Sequence, residues 1–368
     1  MTITFYNFKE LHTEEFRQEA KQRISDIIDN NSFIEGEYND LFEKEFAQMQ
    51  QAEHCLLTAN GTDAIEIALQ AYDIGHGDKV GIPGISFFAT AEAVITRGAC
   101  PIFIDIDPET GLMDPESLKR VMEQHNLKAI IPVHIYGLPA PIEQLEKICN
   151  PSIKIIEDGA QAQGTILKSG PVGSTNNLIT FSFYPTKNLS AFGDAGCILA
   201  NDNGMAEKIK SIRNHGRSPN GHALSGKNSR CDHMQAAVLH LKLRNLKELN
   251  QKRKQIAGWY HESLKNLEIG IVPQKYLEYS SWHLYPVRLF NRDQKYALQY
   301  FLKTKDIPSS LFYERSLPEE KPLLDIEGET KNAKTFAANT LCLPMNPFLN
   351  EEDVNTVAQA IKEFLANR

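Results

Sequence analysis

Phe181-Ser182-Phe183-Tyr184-Pro185-Thr186-Lys187-Asn188-Leu189-Ser190-Ala191-Phe192-Gly193-Asp194-Ala195-Gly196 sets one lysine between an apolar, strand-like run, residues 178–183, and a loop of small residues. Pro185 on one side of Lys187, with Gly193 and Gly196 on the other, stops a helix from running through it. The amine is therefore expected on a fixed loop at the end of a strand, where open α/β sheets place their chemistry. A lysine amine forms Schiff bases with carbonyls, and burial lowers its pKa. Most lysines are solvated surface charges, so Lys187 acquires meaning only if the rest of the chain supplies what such an amine requires.

Working outward, short apolar strands alternate with helical segments. Strands are predicted at 54–58, 78–83, 101–105, 129–133, 153–156, 178–183 and 197–200. Helices are predicted at 13–30, 39–50, 64–71, 89–97, 115–125, 142–149 and 206–212. This order predicts an α/β fold, a mainly parallel sheet with helices on both faces. Its strand ends would deliver Gly61, Phe87, His134 and Asp158 into one crevice. Ala59-Asn60-Gly61-Thr62-Asp63 is a strand–turn–helix junction that suits an anion; in isolation, Asn60 or Thr62 acting only as a helix cap is the preferred reading, and the two roles are compatible. Residues 214–227, rich in Gly, Asn, Ser and His, form a long loop of the kind that is usually functional or mobile. A long helical stretch with one or two breaks is expected over 232–264, and the domain boundary is placed inside it. Residues 1–245 form a large α/β domain and 246–368 a smaller α+β domain, with a strand at 283–290 and helices at 294–303 and 351–367.

Composition narrows the function. The chain has 368 residues, enough for roughly two domains. No apolar run reaches the roughly 20 residues of a membrane span, and the first ten residues lack the pattern of a signal peptide. Six scattered cysteines without a CxxC pair speak against a disulfide framework or a zinc site and fit a reducing cytoplasm. A net charge of −8 speaks against general nucleic-acid binding. The basic cluster 242–254 alternates with leucines and reads as the solvated face of a helix.

A pyridoxal 5′-phosphate (PLP) enzyme requires a lysine, a carboxylate for the pyridine nitrogen, an anion site for the phosphate and a flat apolar face for the ring. Lys187, Asp158, the Gly61-Thr62 turn with Ser182, and Phe87 satisfy these in turn. Taken singly, Asp158 could cap a helix and Phe87 could be core.

With these motifs in hand, the sequence resembles the sugar aminotransferases of the DegT/DnrJ/EryC1/StrS family, PLP-dependent enzymes of fold type I. The resemblance rests on Asn60-Gly61-Thr62-Asp63-Ala64, Val133-His134-Ile135-Tyr136-Gly137, Glu157-Asp158-Gly159-Ala160-Gln161-Ala162, residues 181–188, Arg213-Asn214-His215-Gly216, Asn228-Ser229-Arg230 and Gln235-Ala236-Ala237. It implies that Lys187 forms the Schiff base and shuttles the proton, while Asp158 pairs with the ring nitrogen. It also implies that Gln161 contacts the ring hydroxyl, Phe87 stacks on the ring, and Gly61, Thr62 and Ser182 hold the phosphate. Asn228 would reach the phosphate of a neighbouring copy, making a homodimer with shared sites. Tyr184, His215, Arg230 and Tyr313 are the substrate-side candidates. The implied substrates are L-glutamate and a nucleotide-linked keto-sugar, for amino sugars of cell-surface polysaccharides such as lipopolysaccharide O-antigen. Residues 188–196 resemble members that aminate C3 more than those with a Thr-Thr-Gly-Glu-Gly-Gly segment, many of which aminate C4. Related sugar dehydratases carry His at the lysine position, so Lys187 favours amino transfer. Gln163, Leu138 and Pro141 depart from the residues often found there, and a frequent histidine is missing around 311–313; these departures bear on the sugar-nucleotide side. The competing readings are a non-catalytic regulatory member, a plain nucleotide-binding protein and another PLP reaction such as a lyase.

Overall fold

The computed structural model describes residues 3–367. Seven strands form the main sheet: β1 (His54–Thr58), β2 (Lys79–Pro83), β3 (Cys100–Ile104), β4 (Leu127–Ile130), β5 (Lys154–Asp158), β6 (Leu178–Ser182) and β7 (Gly196–Ala200). Their spatial order is β1-β7-β6-β5-β4-β2-β3. The ladders from β3 through β2, β4 and β5 to β6 are parallel; β7 alone runs against its neighbours, β6 and β1.

Each strand is apolar on both faces, and period-two alternation sends its residues to opposite cores. Leu57, Ile102, Ile155, Ile179 and Leu199 point into one cluster, while Leu56, Phe103, Ile156, Leu178 and Ile198 point into the other. The first cluster is capped by Phe42 and Phe46 of helix α2 (Glu37–Gln50), which follows α1 (Glu14–Asp29). The second is covered by α3 (Gly61–Ala71), by α4 (Ala89–Thr96) and later in the chain by Asn203–Arg213. With both faces covered, only the ends of the strands are free to host chemistry.

The small C-terminal sheet joins β8 (Gly270–Ile271), β9 (Tyr285–Arg288) and β10 (Thr340–Leu343), all antiparallel. It packs with helices Arg292–Thr304, Lys331–Asn339 and Glu351–Ala366. Of these, β8, β10 and the helix before β10 were not foreseen: β8 is only two residues long, and residues 331–343 carry few turn signals to separate helix from strand.

Four expectations need correction. The helix His233–Leu264 is one unbroken element of 32 residues, without the one or two breaks expected in it. The strand expected at 129–133 is Leu127–Ile130, and the 214–227 loop contains a short hairpin, Arg217–Ser218 with Gly221–His222. The basic cluster at 242–254 is not wholly solvated either, since Lys242 and Arg253 are buried. Arg253 donates to Trp282 O at 3.2 Å and to Met345 O at 3.0 Å, so packing covers part of this side of the helix.

Lys242 Nζ donates to Ser190 Oγ at 3.0 Å and lies over the rings of Phe16 and Phe192. Burial pushes its amine down to about 7. The folded chain thus binds fewer protons than the unfolded chain between about 7 and the ordinary 10.5, and stability rises with pH across that window. Below it, both states carry the charge and the full cost of burying it remains. Lys242→Met should therefore raise the melting temperature by a few degrees at about pH 6, with the gain shrinking as the pH climbs through about 9. Thermal melts at the two pH values check this; an equal shift at both would mean that the charge is not what matters.

Candidate active site

The site forms where the parallel strands end. After β1, Thr58 Oγ1 donates to the Asn60 carbonyl at 3.0 Å, and the Asn60 side chain caps α3 by accepting from Asp63 N–H at 2.8 Å. The cap does not use up the donors of this junction. Asn60 takes one first-turn donor, while the N–H groups of Gly61 and Thr62 have no partner within the helix. A Cβ on Gly61 would lie 2.7 Å from Ser182 Cβ, so only glycine lets the helix start approach the end of β6 so closely.

Asp158, the last residue of β5, is buried at 4 % exposure. Its Oδ1 accepts from Ala160 N–H at 3.0 Å and its Oδ2 from Thr90 Oγ1–H at 2.8 Å. With the Thr90 proton committed to Asp158, Ser86 must donate in the 2.7 Å contact between the two hydroxyls. The strand end beneath it is fixed by a buried pair. His134 Nδ1 accepts from Ala140 N–H at 2.9 Å, so its Nε2 carries the proton donated to Glu157 Oε2 at 3.0 Å.

Gln161 Oε1 accepts from Tyr136 N–H at 2.6 Å, and its Nε2 donates to the Tyr313 hydroxyl at 3.0 Å. This ties the 311–313 loop to the main sheet. Burial, then the nearby Asp158 charge, push the Tyr313 phenol well up from its ordinary value. Phe87, 61 % exposed, lies with its ring centroid 6.3 Å from that of Tyr313. It is an apolar ring left open at the mouth of the crevice.

Lys187 sits on the β6–β7 connection. The turn is pinned by Lys187 N–H to Tyr184 O at 2.8 Å, Ala191 N–H to Phe183 O at 2.8 Å and Phe183 N–H to Ala195 O at 2.8 Å. Burial pushes the amine down to about 8, with the Asp158 carboxylate pulling the other way. A larger neutral, nucleophilic fraction near neutral pH results.

The structure thus brings together Lys187, Asp158, Gln161, Tyr313 and Phe87, and separately Gly61 with Ser182. Tyr184 is 52 % exposed beside the lysine turn. Asn228, Arg230 and His215 lie apart from Lys187 in the 214–230 segment. Asn228 is exposed and its Oδ1 accepts from Arg230 Nη2–H at 2.9 Å; Arg230 also donates to Asn214 Oδ1 at 3.0 Å. Ser229 accepts from Ala59 N–H at 3.1 Å, which fastens this segment near the start of its own α3. Of the departures noted in the sequence, Leu138 is core, and Gln163 lies fully buried under the cradle. Gln163 donates from Nε2 to Ser182 O at 2.7 Å, and its Oε1 has no partner.

Sequence reasoning missed several neighbours. Ser86 and Thr90 gave no signal beyond small polar residues at a helix start. Tyr6, bonded to Thr186, comes from the N-terminal segment and with Lys187, Arg253 and Asn346 lines a cavity of about 30 Å³. His283 could have been noticed as a buried polar residue before a strand.

The cofactor test is one of shape and donors. The glycine-only cradle, the open helix N-terminus, a buried carboxylate and a depressed lysine amine together fit PLP.

Residues 14–362 match the DegT/DnrJ/EryC1/StrS aminotransferase family, and the chain belongs to that family of PLP-dependent enzymes of fold type I. It is 37 % identical to a pleiotropic regulatory protein of Geobacillus stearothermophilus, covering 95 % of each chain. It is 35 % identical to a UDP-N-acetyl-3-dehydro-alpha-D-glucosamine 3-aminotransferase of Acidithiobacillus ferrooxidans, covering 96 % of each. Among solved structures, it superposes with a TM-score of 0.91 on Streptomyces venezuelae DesV in complex with a ketimine intermediate, at 31 % identity, covering 99 % of this chain and 98 % of that one.

Proposed function

We propose that this aminotransferase moves an amino group from L-glutamate to the keto carbon of a nucleotide-linked sugar, at C3 in preference to C4, in the making of amino sugars for cell-surface polysaccharide. The observation that carries the reading is the depressed Lys187 amine within electrostatic reach of buried Asp158, on strand ends that also form the Gly61–Ser182 cradle. Support for a sugar substrate, and for C3, comes from the 3-aminotransferase relative.

Bound PLP supplies an electron sink for the pair released when a substrate proton leaves. Lys187 anchors it and afterwards carries the proton on Nζ, a task suited to an amine near 8. Asp158, fixed by Thr90 and Ala160, holds the ring nitrogen. Gly61, Thr62 and Ser182 take the phosphate, Phe87 covers the ring and Gln161 reaches its hydroxyl with the N–H not given to Tyr313. Tyr184 and Tyr313 are the substrate-side candidates next to Lys187; His215 and Arg230, apart from it in their own chain, would serve only the site of a neighbouring copy. The large domain, residues 1–245, carries the cofactor, and residues 246–368 close over it through the 311–313 loop. No helix among the described residues is long and apolar enough to cross a membrane. All six cysteines are free thiols, which suits the cytoplasm.

The test is a screen of dTDP-, UDP- and GDP-linked 3-keto and 4-keto sugars with glutamate carrying labelled nitrogen. Label in a 3-amino sugar, with release of 2-oxoglutarate, is expected. No transfer to any keto-sugar would favour the regulatory reading that the Geobacillus relative's name raises.

The working unit in this reading is a homodimer in which exposed Asn228 reaches the phosphate of the neighbouring copy. Asn228→Asp would put a carboxylate beside that phosphate. Mixed with Lys187→Ala after subunit exchange, it should restore activity at one site per heterodimer, though each parent is weak. A mixture no better than its parents, after exchange is proven by mass, would rule out the shared site.

A further inference from the structure

Asn188 follows Lys187, and its side chain is oriented without ambiguity. Its Nδ2 donates to Ser281 O at 2.8 Å and to Asn250 Oδ1 at 3.1 Å. Both of those atoms only accept, provided that Asn250 is itself correctly oriented, and it is: Asn250 Nδ2 donates to Gln163 O at 2.7 Å. Gln163 in turn donates to Ser182 O in the cradle. Asn250 is also held from behind, because a Cβ on Gly164 (φ +87) would come 2.5 Å from its Nδ2.

With its N–H groups so committed, Asn188 turns its Oδ1 towards His283 Nδ1 at 3.2 Å. An amide oxygen can only accept, so the imidazole carries its proton on Nδ1. His283 is 4 % exposed. Burial first, then the positive charges of Lys187 and Arg253, hold its pKa well below the usual range, which keeps the ring neutral in this one tautomer. Three parts of the chain therefore meet at Asn188: the lysine turn, the long helix through Asn250, and the small domain through Ser281 and His283.

We propose that His283 is a positioning residue for Lys187, acting by donation from Nδ1 to the Asn188 amide that adjoins the lysine. The proposal rests on the reading of Lys187 as the cofactor's attachment point. Without that donor the half-buried Asn188 oxygen would be left unpaired, and the amide would be held by its Nδ2 bonds to Ser281 and Asn250 alone, which loosens the residue adjoining Lys187. The role requires a donor attached at Cγ of residue 283 and no base. That separates it from a proton-transfer role, which would require the lone pair on Nε2.

The experiment compares His283→Ala, His283→Asn and His283→Gln as holoenzymes. Asparagine keeps a nitrogen donor bonded to Cγ, as in Nδ1 of histidine; glutamine places its donor one atom farther out. His283→Ala should lower kcat about tenfold with KM little changed, and should lose bound cofactor faster on dialysis, read by visible absorbance. His283→Asn should return both measures to within about twofold of the parent, and His283→Gln should not. If the alanine variant fails to fold, the asparagine–glutamine pair decides alone. An asparagine variant as impaired as glutamine or alanine overturns the proposal, as does an alanine variant matching the parent. Mapping the borohydride-fixed cofactor on the unmutated protein tests the Lys187 reading separately, so an adduct elsewhere would be told apart from a failure of His283.

Discussion

Lys187→Ala should fold, keep its melting temperature within a few degrees, and lose turnover by about 10⁴-fold or more. Fold is expected to survive because the turn is held by main-chain bonds and not by the amine: Lys187 N–H to Tyr184 O and Ala191 N–H to Phe183 O are untouched by the change. Removing a buried amine that burial has pushed down to about 8 also relieves a desolvation cost. Activity should collapse because the same nitrogen serves as covalent anchor and as proton carrier. The check pairs circular dichroism and thermal melting with turnover, and with the visible absorbance of the cofactor-loaded protein. A variant retaining even a tenth of the activity would require another group to carry the proton.

Asp158→Ala should cut turnover by about 10²- to 10³-fold, the scale expected when one fixed electrostatic partner of a reacting group is removed. The change also strands the Thr90 hydroxyl and the Ala160 N–H, which now donate to the carboxylate at 2.8 and 3.0 Å. Some loss of stability should accompany it. Asp158→Asn divides the two effects: the amide oxygen can still accept from Ala160 N–H, and its Nδ2 can donate to a Thr90 hydroxyl that turns its own proton to Ser86, but it brings no negative charge. The expected order in turnover is parent, far above Asn, with Ala lowest; in melting temperature Asn should lie close to the parent. Single-turnover rates near the parent in either variant would show that a different carboxylate serves.

Much of this site was legible because the fold puts its chemistry at strand ends, and strand ends are where the sequence changes character. The apolar runs ending at Thr58, Asp158 and Ser182 stop within two residues of where they were expected, and the first two are followed at once by small-residue turns. The lysine stood out because Pro185 and the glycines beyond it left it nowhere to go but a loop. What could not be read depends on contacts distant in sequence. Tyr6 meets Thr186 only after the N-terminal segment is laid across the domain. Thr90 meets Asp158 across 68 residues. His283 meets Asn188 across 95. Lys242 shows the opposite error: a helical pattern tells which side of a helix is apolar. It does not tell that an aromatic pair, Phe16 and Phe192, will cover Lys242, or that the backbone at Trp282 and Met345 will cover Arg253.

The identity of the anchoring lysine is open to one direct measurement. The cofactor-loaded protein is treated with borohydride, which makes the linkage permanent, then digested, and the peptide carrying the pyridoxyl group is located by mass. A single modified peptide with the group on Lys187, and loss of the visible band in the same step, is the result this account predicts. The group on any other lysine, Lys242 included, or an intact visible band with no modified peptide, would contradict it.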